Sequence, residues 1–313
     1  MELKSQRQRQ HQLFSLLFSL SIVDVSRPHV ETLPSSRSLS QNLKTFSSLR
    51  VLFESAIIMS LANVLKTLFF VLCCLMIVTL GYTISIDGLP FRKDLLTPWM
   101  AATLVDFYIN VVPLAAWVSY KEPNWISAII WIILLVCFGS ITTCAYIFIQ
   151  FLKLSPQESL QDPMYHVLLR YPINHSLEHK RKNSPVVAAR IIFGALGLFM
   201  LGTLVYTILT DGSPFRKELF TPWMSATLID FYINVVALSV WVAYKEPSWF
   251  SAFLWVILLI CFGSISTCVY IVRQLWCLHS EDSLYLILLN TSNRAENWYD
   301  RTFVIDAAKV ESQ

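Results

Sequence analysis

The sequence predicts an all-α integral membrane protein of six transmembrane helices, arranged as two tandem three-helix repeats in inverted orientation. Three observations carry that prediction. Of the 313 residues, 55% are hydrophobic and only 14% charged, against roughly 25% charged in a soluble domain, and the mean hydropathy is +0.54. The apolar residues gather into runs long enough to cross a bilayer. The chain also repeats itself, with three such runs in each copy. The same composition excludes a soluble enzyme and a disordered chain. A formal charge of +3 is too small for a polyanionic partner, so nucleic acid is excluded as well.

Residues 1–58 form a serine- and glutamine-rich leader or N-terminal extension outside the repeats. The apolar run Leu13 to Val25 follows Lys4, Arg7 and Arg9, as in a targeting or signal-anchor segment. Met59 is the competing natural start.

The first repeat covers 59–169. Spans are expected at about Val64 to Ile86, Pro98 to Val118 and Trp125 to Phe151, followed by an amphipathic tail from Asp162 to Leu169. Thr97 is a candidate N-cap ahead of Pro98. The connectors Asp87-Gly88 and Lys121-Glu122-Pro123 supply turn formers and charge. A basic linker, 170–185, carries Lys180, Arg181 and Lys182 and is expected to rest on anionic headgroups. The second repeat, 186–289, returns the pattern at one constant offset, with spans at about Val186 to Leu209, Pro222 to Val242 and Trp249 to Leu275 and a tail from Asp282 to Leu289. Tyr82 to Lys93 recurs as Tyr206 to Lys217, and Thr97 to Asn110 as Thr221 to Asn234. Residues 290–313 are a polar tail.

Three crossings per repeat force the second copy to start on the opposite face, giving antiparallel copies about a pseudo-two-fold axis in the membrane plane. Parallel copies would require the amphipathic tails to insert, and those are too short to span. On the inverted scheme Asn174 and Asn290, both glycosylation acceptors, lie on opposite faces.

Asp106 and Asp230 fall near the middle of the second span of each copy, where an acid is costly and should face protein or water. Trp99, Thr103, Asp106, Asn110, Pro113 and Trp117 recur at steps of four and three and so share a stripe. Trp223, Thr227, Asp230, Asn234, Ala237 and Trp241 repeat it. Two midplane carboxylates brought together could exchange a proton or cation, with Asn110, Asn234, Thr103 and Thr227 as hydrogen-bonding partners. The competing interpretation is polar glue between helices. Gly139, Ser140 and Cys144, with Gly263, Ser264 and Cys268, are assigned to close helix packing in the third span. Trp99, Trp117, Trp125, Trp223, Trp241 and Trp249 are expected at the membrane boundaries.

The seven cysteines all lie in or beside apolar runs, so no disulfide framework is expected. Cys137 and Cys144, like Cys261 and Cys268, are seven residues apart and are expected on one helix face; packing is favoured over an intramembrane thiol enzyme. His175-Ser-Leu-Glu178-His179 matches a zinc pattern but has no third ligand and is taken as chance. No catalytic residue, metal or cofactor is expected.

The segments Thr-Pro-Trp-Met-x-Ala-Thr-Leu-x-Asp-Phe-Tyr-Ile-Asn, Trp-Val-x-Tyr-Lys-Glu-Pro-x-Trp and Phe-Gly-Ser-Ile-x-Thr-Cys-x-Tyr resemble a plant family of membrane proteins, domain of unknown function 1475. The resemblance extends from Met59 to Leu289 and implies a plant source. It brings no assigned activity. A fainter likeness is to short bacterial three-span proteins with an acid in the second span. The functional expectation is a non-enzymatic, proton- or ion-linked transporter or channel-like protein, with a membrane scaffold or assembly factor as the alternative. The expected partners are the lipid bilayer and a proton, cation or small solute. Self-association is a further candidate, and the endomembrane or plasma membrane is the expected location.

Overall fold

The computed structural model describes residues 36–90, 92–170, 185–278 and 283–290, with side chains from Ile58 onward. The Leu13 to Val25 run, the His175 to His179 pattern, Lys180 to Lys182, Asn174 and the tail beyond Asn290 lie outside the described residues. The chain divides into two compact units, Met1–Phe53 and Glu54–Gln313. The architecture below is that of the second.

Helix α1 (Ser36–Asp87) is followed by a 3-10 turn (Lys93–Leu95) and by α2 (Pro98–Lys121). Their counterparts are α7 (Pro185–Asp211), a 3-10 turn (Lys217–Leu219) and α8 (Pro222–Lys245). Local chemistry sets these boundaries. The Thr97 and Thr221 hydroxyls each accept the N–H three residues on, from Met100 and Met224, at 3.2 Å, and a proline at the first helical position has no amide to strand. At the other end Glu122 and Glu246 close the helices by donating to the Val118 and Val242 carbonyls, ahead of Pro123 and Pro247. The turn after α1 is held by the Asp87–Arg92 ion pair, and the turn after α7 by Asp211–Arg216 at 2.6 Å. Among the described residues four helical stretches are long and apolar enough to cross a membrane: Ile58–Asp87, Pro98–Lys121, Val186–Asp211 and Pro222–Lys245.

The expected third span of each copy is not one long helix, which corrects the count of candidate spans among the described residues from six to four. It is two half-helices, α3 (Trp125–Phe138) and α4 (Ser140–Leu152), broken at Gly139; in the second copy α9 (Trp249–Phe262) and α10 (Ser264–Trp276) break at Gly263. The halves fold back on each other. Trp131 precedes the break and Tyr146 follows it, and in a straight helix those two residues would stand about 22 Å apart. Their rings are 4.9 Å apart, and the same separation holds for Trp255 and Tyr270. Across each turn the Thr142 hydroxyl donates to the Leu134 carbonyl at 2.9 Å, and Ser266 to Leu258 at 2.8 Å. Each arm is about 20 Å long, short of the ~30 Å hydrocarbon thickness.

A hairpin returns to the end it left, so each copy traverses the bundle twice and the copies run in the same sense. The inverted arrangement is therefore also corrected. Trp99, Met100, Trp223 and Met224, at the starts of α2 and α8, form one cluster that marks the floor. At the opposite end, the roof, Leu169 after the first hairpin, Val186 at the start of α7 and Leu275 at the end of the second hairpin share another. Each first helix packs against its own hairpin and the other copy's second helix. Met200 of α7 meets Cys268 and Ile109, and Met76 of α1 shares a cluster with Cys144 and Ile233.

The amphipathic tails pack inward as the roof. Helix α5 (Pro156–Gln161) is started by a capping box in which Ser155 N–H donates to Glu158 Oε2 at 2.8 Å. Helix α6 (Pro163–Leu168) starts at Asp162, which accepts from Tyr165 N–H, and buries Met164, Val167 and Leu168. The second copy has a 3-10 turn there, Leu284–Ile287, burying Tyr285 and Leu286. Beneath the roof α2 and α8 leave a cavity of about 330 Å³ between them.

Candidate functional site

Gly139 and Gly263 have φ of +54° and +52°, a backbone region that side chains rarely adopt. Space at each tip is as demanding as the torsion. A Cβ on Gly139 would strike Asp230 Oδ2 and come within 2.8 Å of Phe107 Cζ, and one on Gly263 would strike Asp106 Oδ2 and come within 2.8 Å of Phe231 Cζ. Glycine is thus required twice, for the turn and for the carboxylate pressed against it.

The two acids do not meet each other; each serves the other copy's tip. Ser264 N–H donates to Asp106 Oδ1 at 2.8 Å, and Ser140 N–H donates to Asp230 Oδ1 at 2.7 Å. Ser140 and Ser264 are the first residues of α4 and α10, so each carboxylate sits at a helix N-terminus, where unsatisfied N–H groups and the helix dipole favour negative charge. Such an anion contributes up to about 2 kcal/mol in a partly buried setting. The geometry suits a carboxylate anion and opposes a metal cation at the same point. Among the described residues no group of three or more His, Cys, Asp or Glu side chains is placed to hold a metal.

The expected partners of the acids are engaged elsewhere. The Thr103 and Thr227 hydroxyls donate to the Trp99 and Trp223 carbonyls of their own helices, each at 2.9 Å. Asn110 Oδ1 accepts from Thr267 of the other copy at 2.7 Å. Asn234 has neither side-chain atom paired, and Asn110 Nδ2, Ser140 Oγ and Ser264 Oγ also lack a partner satisfying hydrogen-bond geometry. Asn110, Asn234, Ser140 and Ser264 are completely buried, while the aspartates are half-buried at the edge of these polar nests. Pro113 lies inside α2 without ending it.

Cys137 and Cys144 straddle the Gly139 break, as Cys261 and Cys268 straddle Gly263, so neither pair shares a helix face. Cys144 and Cys268 are buried, Cys137 and Cys261 are exposed, and all seven cysteines are free. The tryptophans divide too. Trp125 and Trp249 are exposed, but Trp99 and Trp223 are buried in the floor cluster, and Trp117 and Trp241 line the cavity. Trp99 and Trp223 are thus core residues, and Trp117 and Trp241 are partly buried.

Lys121-Glu122, expected from the sequence to be a charged connector, and its counterpart Lys245-Glu246 tie each copy together. Glu122 accepts from Ser127 at 2.7 Å and from Tyr146 at 2.9 Å, bracing the two arms at the hairpin's base; Glu246 accepts likewise from Ser251 at 2.7 Å and Tyr270 at 3.0 Å. The Lys121 ammonium donates to the carbonyls of His166, at 2.7 Å, and Leu169. Lys245, almost fully buried, donates to Ile287 and, at 2.7 Å, to Leu289. The available signal was their identical recurrence at the end of an apolar helix.

A family model described as a protein of unknown function (DUF1475) matches residues 40–176 and again residues 173–295. The two matches reproduce the duplication, and the first begins ahead of Met59. No curated protein and no solved structure matches the chain.

Proposed function

The chain belongs to the DUF1475 family, and we propose that it is a multi-pass membrane protein of four spans and two re-entrant hairpins, a non-catalytic scaffold whose buried aspartates fasten one copy to the other. The observation that carries this reading is the reciprocal pair of N–H bonds, at 2.8 and 2.7 Å, from the hairpin tips to Asp106 and Asp230. An acid already bound to a helix N-terminus is committed to structure. Membrane insertion is supported by the four long apolar helices and by large apolar side chains exposed on α1 and α7, among them Val78, Ile191, Leu198 and Leu209. Backbone broken at mid-depth is tolerated where protein buries it.

Two crossings per copy put Leu169, Val186 and Leu289, the described residues next to the linker and to Asn290, at the same, roof end. Lys121, Lys153, Arg170, Lys180, Arg181, Lys182, Arg190 and Lys245 are at or next to the roof-end connections in sequence, against Arg92, Lys93, Arg216 and Lys217 in the floor loops. The positive-inside rule makes the roof cytoplasmic. Asn174 and Asn290 are then expected to carry no sugar, and maleimide tags introduced beside each should react from the same face. Sugar on either acceptor, or tags on opposite faces, refutes this topology.

A second reading, a proton- or ion-linked transporter, is favoured by the unpaired buried atoms one helical turn from the acids, Asn110 Nδ2 and both polar atoms of Asn234. The double variant Asp106→Asn, Asp230→Asn separates the two. A fastener that loses its charge lowers the melting temperature and leaves ion flux in proteoliposomes at the background of empty vesicles throughout. If wild-type protein carries a proton-coupled flux that the variant lacks at unchanged melting temperature, the scaffold reading is wrong.

A further inference from the structure

We propose that the roof cavity between α2 and α8 is a binding site for a neutral lipid with a single flexible hydrocarbon chain. The walls come from both copies: Phe69 and Trp117 from the first, Phe193, Ala237, Trp241 and Tyr285 from the second. The described lining includes no charged side chain. The site is a groove, open along one side, and water would find few hydrogen-bond partners against such walls. A volume of about 330 Å³ stands at the small end of the ~300–1,000 Å³ range of ligand sites. That favours one chain over the two of a phospholipid.

The charges around the roof choose the head group. Lys121 and Lys245 are each held by two backbone carbonyls of the roof segments, and Arg190 donates to the Leu275 carbonyl at 3.0 Å and the Leu278 carbonyl at 2.7 Å. A carboxylate or phosphate arriving at the roof would have to compete with those carbonyls, since Arg190 Nε is the one donor of these three side chains that is buried without a partner. A neutral end group would not. The second copy leaves extra room: Ala189 and Ala237 line the cavity, where their first-copy counterparts are the larger Leu65 and Pro113.

The site rests on the membrane reading but is independent of the aspartates. It can be tested with the full chain in phosphatidylcholine nanodiscs, using a diazirine-bearing hexadecanol as the probe and peptide mass mapping as the readout. Crosslinks are expected on cavity residues such as Phe193 and Leu238, suppressed by excess hexadecanol but not by hexadecanoate above its pKa. Ala237→Leu should reduce cavity labelling about ten-fold. Ala189→Leu, which only copies the first repeat's own residue, should do the same while folding is retained, as read by an unchanged or raised melting temperature. Labels confined to outward residues such as Leu198 and Val78 would overturn the proposal, as would full labelling of both folded filled variants or equal competition by hexadecanoate. Failure of the membrane reading would show differently, as a chain that does not co-elute with nanodiscs.

Discussion

Ser140 reaches Asp230 at 2.7 Å in one tip and Ser264 reaches Asp106 at 2.8 Å in the other, whereas the first helices of the two copies differ at equivalent positions. On α7, Gly197 lies so close to the second hairpin that an added Cβ would be 3.1 Å from Cys268 Cβ. The first copy has Cys73 at that position, its thiol 3.8 Å from the Ile141 carbonyl. Arg190 ties α7 to the end of α10, and Lys66 stands at its place in α1. The roof is a helix in one copy and a 3-10 turn in the other. The two copies match at the hairpin tips, where each must fit the other's carboxylate, and diverge along the first helices and in the roof. A hairpin tip has to satisfy a carboxylate supplied by the opposite copy, so a change in one is a misfit in both.

The largest expected effect breaks that matched region. Gly139→Ala or Gly263→Ala adds backbone strain and a collision with the opposing carboxylate, together at least about 3 kcal/mol. Gly88 and Gly212 also have positive φ, +73° and +75°, but a Cβ there would meet nothing within 4 Å. Alanine at either should cost only about 1 kcal/mol. Thermal unfolding in detergent checks the ranking. Equal losses at tip and floor glycines would mean that the contact with the aspartates contributes nothing.

The roof should respond next, and unequally. The first copy's roof has support besides Lys121: Trp117 Nε1 donates to the Leu168 carbonyl at 3.1 Å, and Tyr244 OH donates to Asp162 at 2.8 Å. In the second copy Lys245 is more deeply buried, and its two carbonyls would be left bare. Lys245→Met is expected to cost about 2–3 kcal/mol and Lys121→Met about 1–2 kcal/mol. Hydrogen exchange at residues 283–290 should rise in the first variant. Comparable exchange in both would remove the distinction.

How much of this was legible follows from what each residue can signal alone. Runs such as Pro98 to Val118, with Thr97 before them and Lys-Glu-Pro after, carry their own start and stop, and α2 and α8 begin at the predicted prolines. The break at Gly139 gave no such sign. Glycine is ordinary inside membrane helices, and Cys137-Phe-Gly-Ser-Ile-Thr-Thr-Cys reads as a small-residue packing face. The turn depends on Asp230, 91 residues further along the chain, and no local pattern reports a partner at that distance. One hint was physical rather than statistical: a carboxylate in an apolar helix needs donors, and the N-terminus of a broken helix supplies them. Missing the break turned an even number of crossings into an odd one, and inversion followed from that single error.

Exchanging the diverged residues sharpens the comparison at smaller scale. Gly197→Cys gives α7 the first copy's side chain and pushes it away from Cys268, at about 1–2 kcal/mol. Cys73→Gly gives α1 no new neighbour automatically and should cost about 1 kcal/mol or less, from helix propensity and lost packing. A gain in stability from Gly197→Cys would show that close approach is not what holds α7.

The smallest effect is tied to pH and, among the described residues, belongs to the first copy. Hydrogen bonds from the Ser155 backbone and hydroxyl, with a lesser contribution from nearby His166, hold the exposed Glu158 carboxyl below its ordinary range. A carboxyl whose pKa is lowered by folding stabilises the fold above its unfolded value, about 4.3 for Glu, and that contribution is lost as pH falls through the lowered value. Glu158→Gln should therefore melt slightly below wild type at neutral pH and together with it in acid. The second copy's chain is shorter between its hairpin and its roof and shows no such box among the described residues, so the acid-sensitive step should appear as increased exchange near α5 and leave residues 283–290 unchanged. A difference between wild type and Glu158→Gln that persists at the lowest pH would mean that the ionised carboxylate is not what starts this helix.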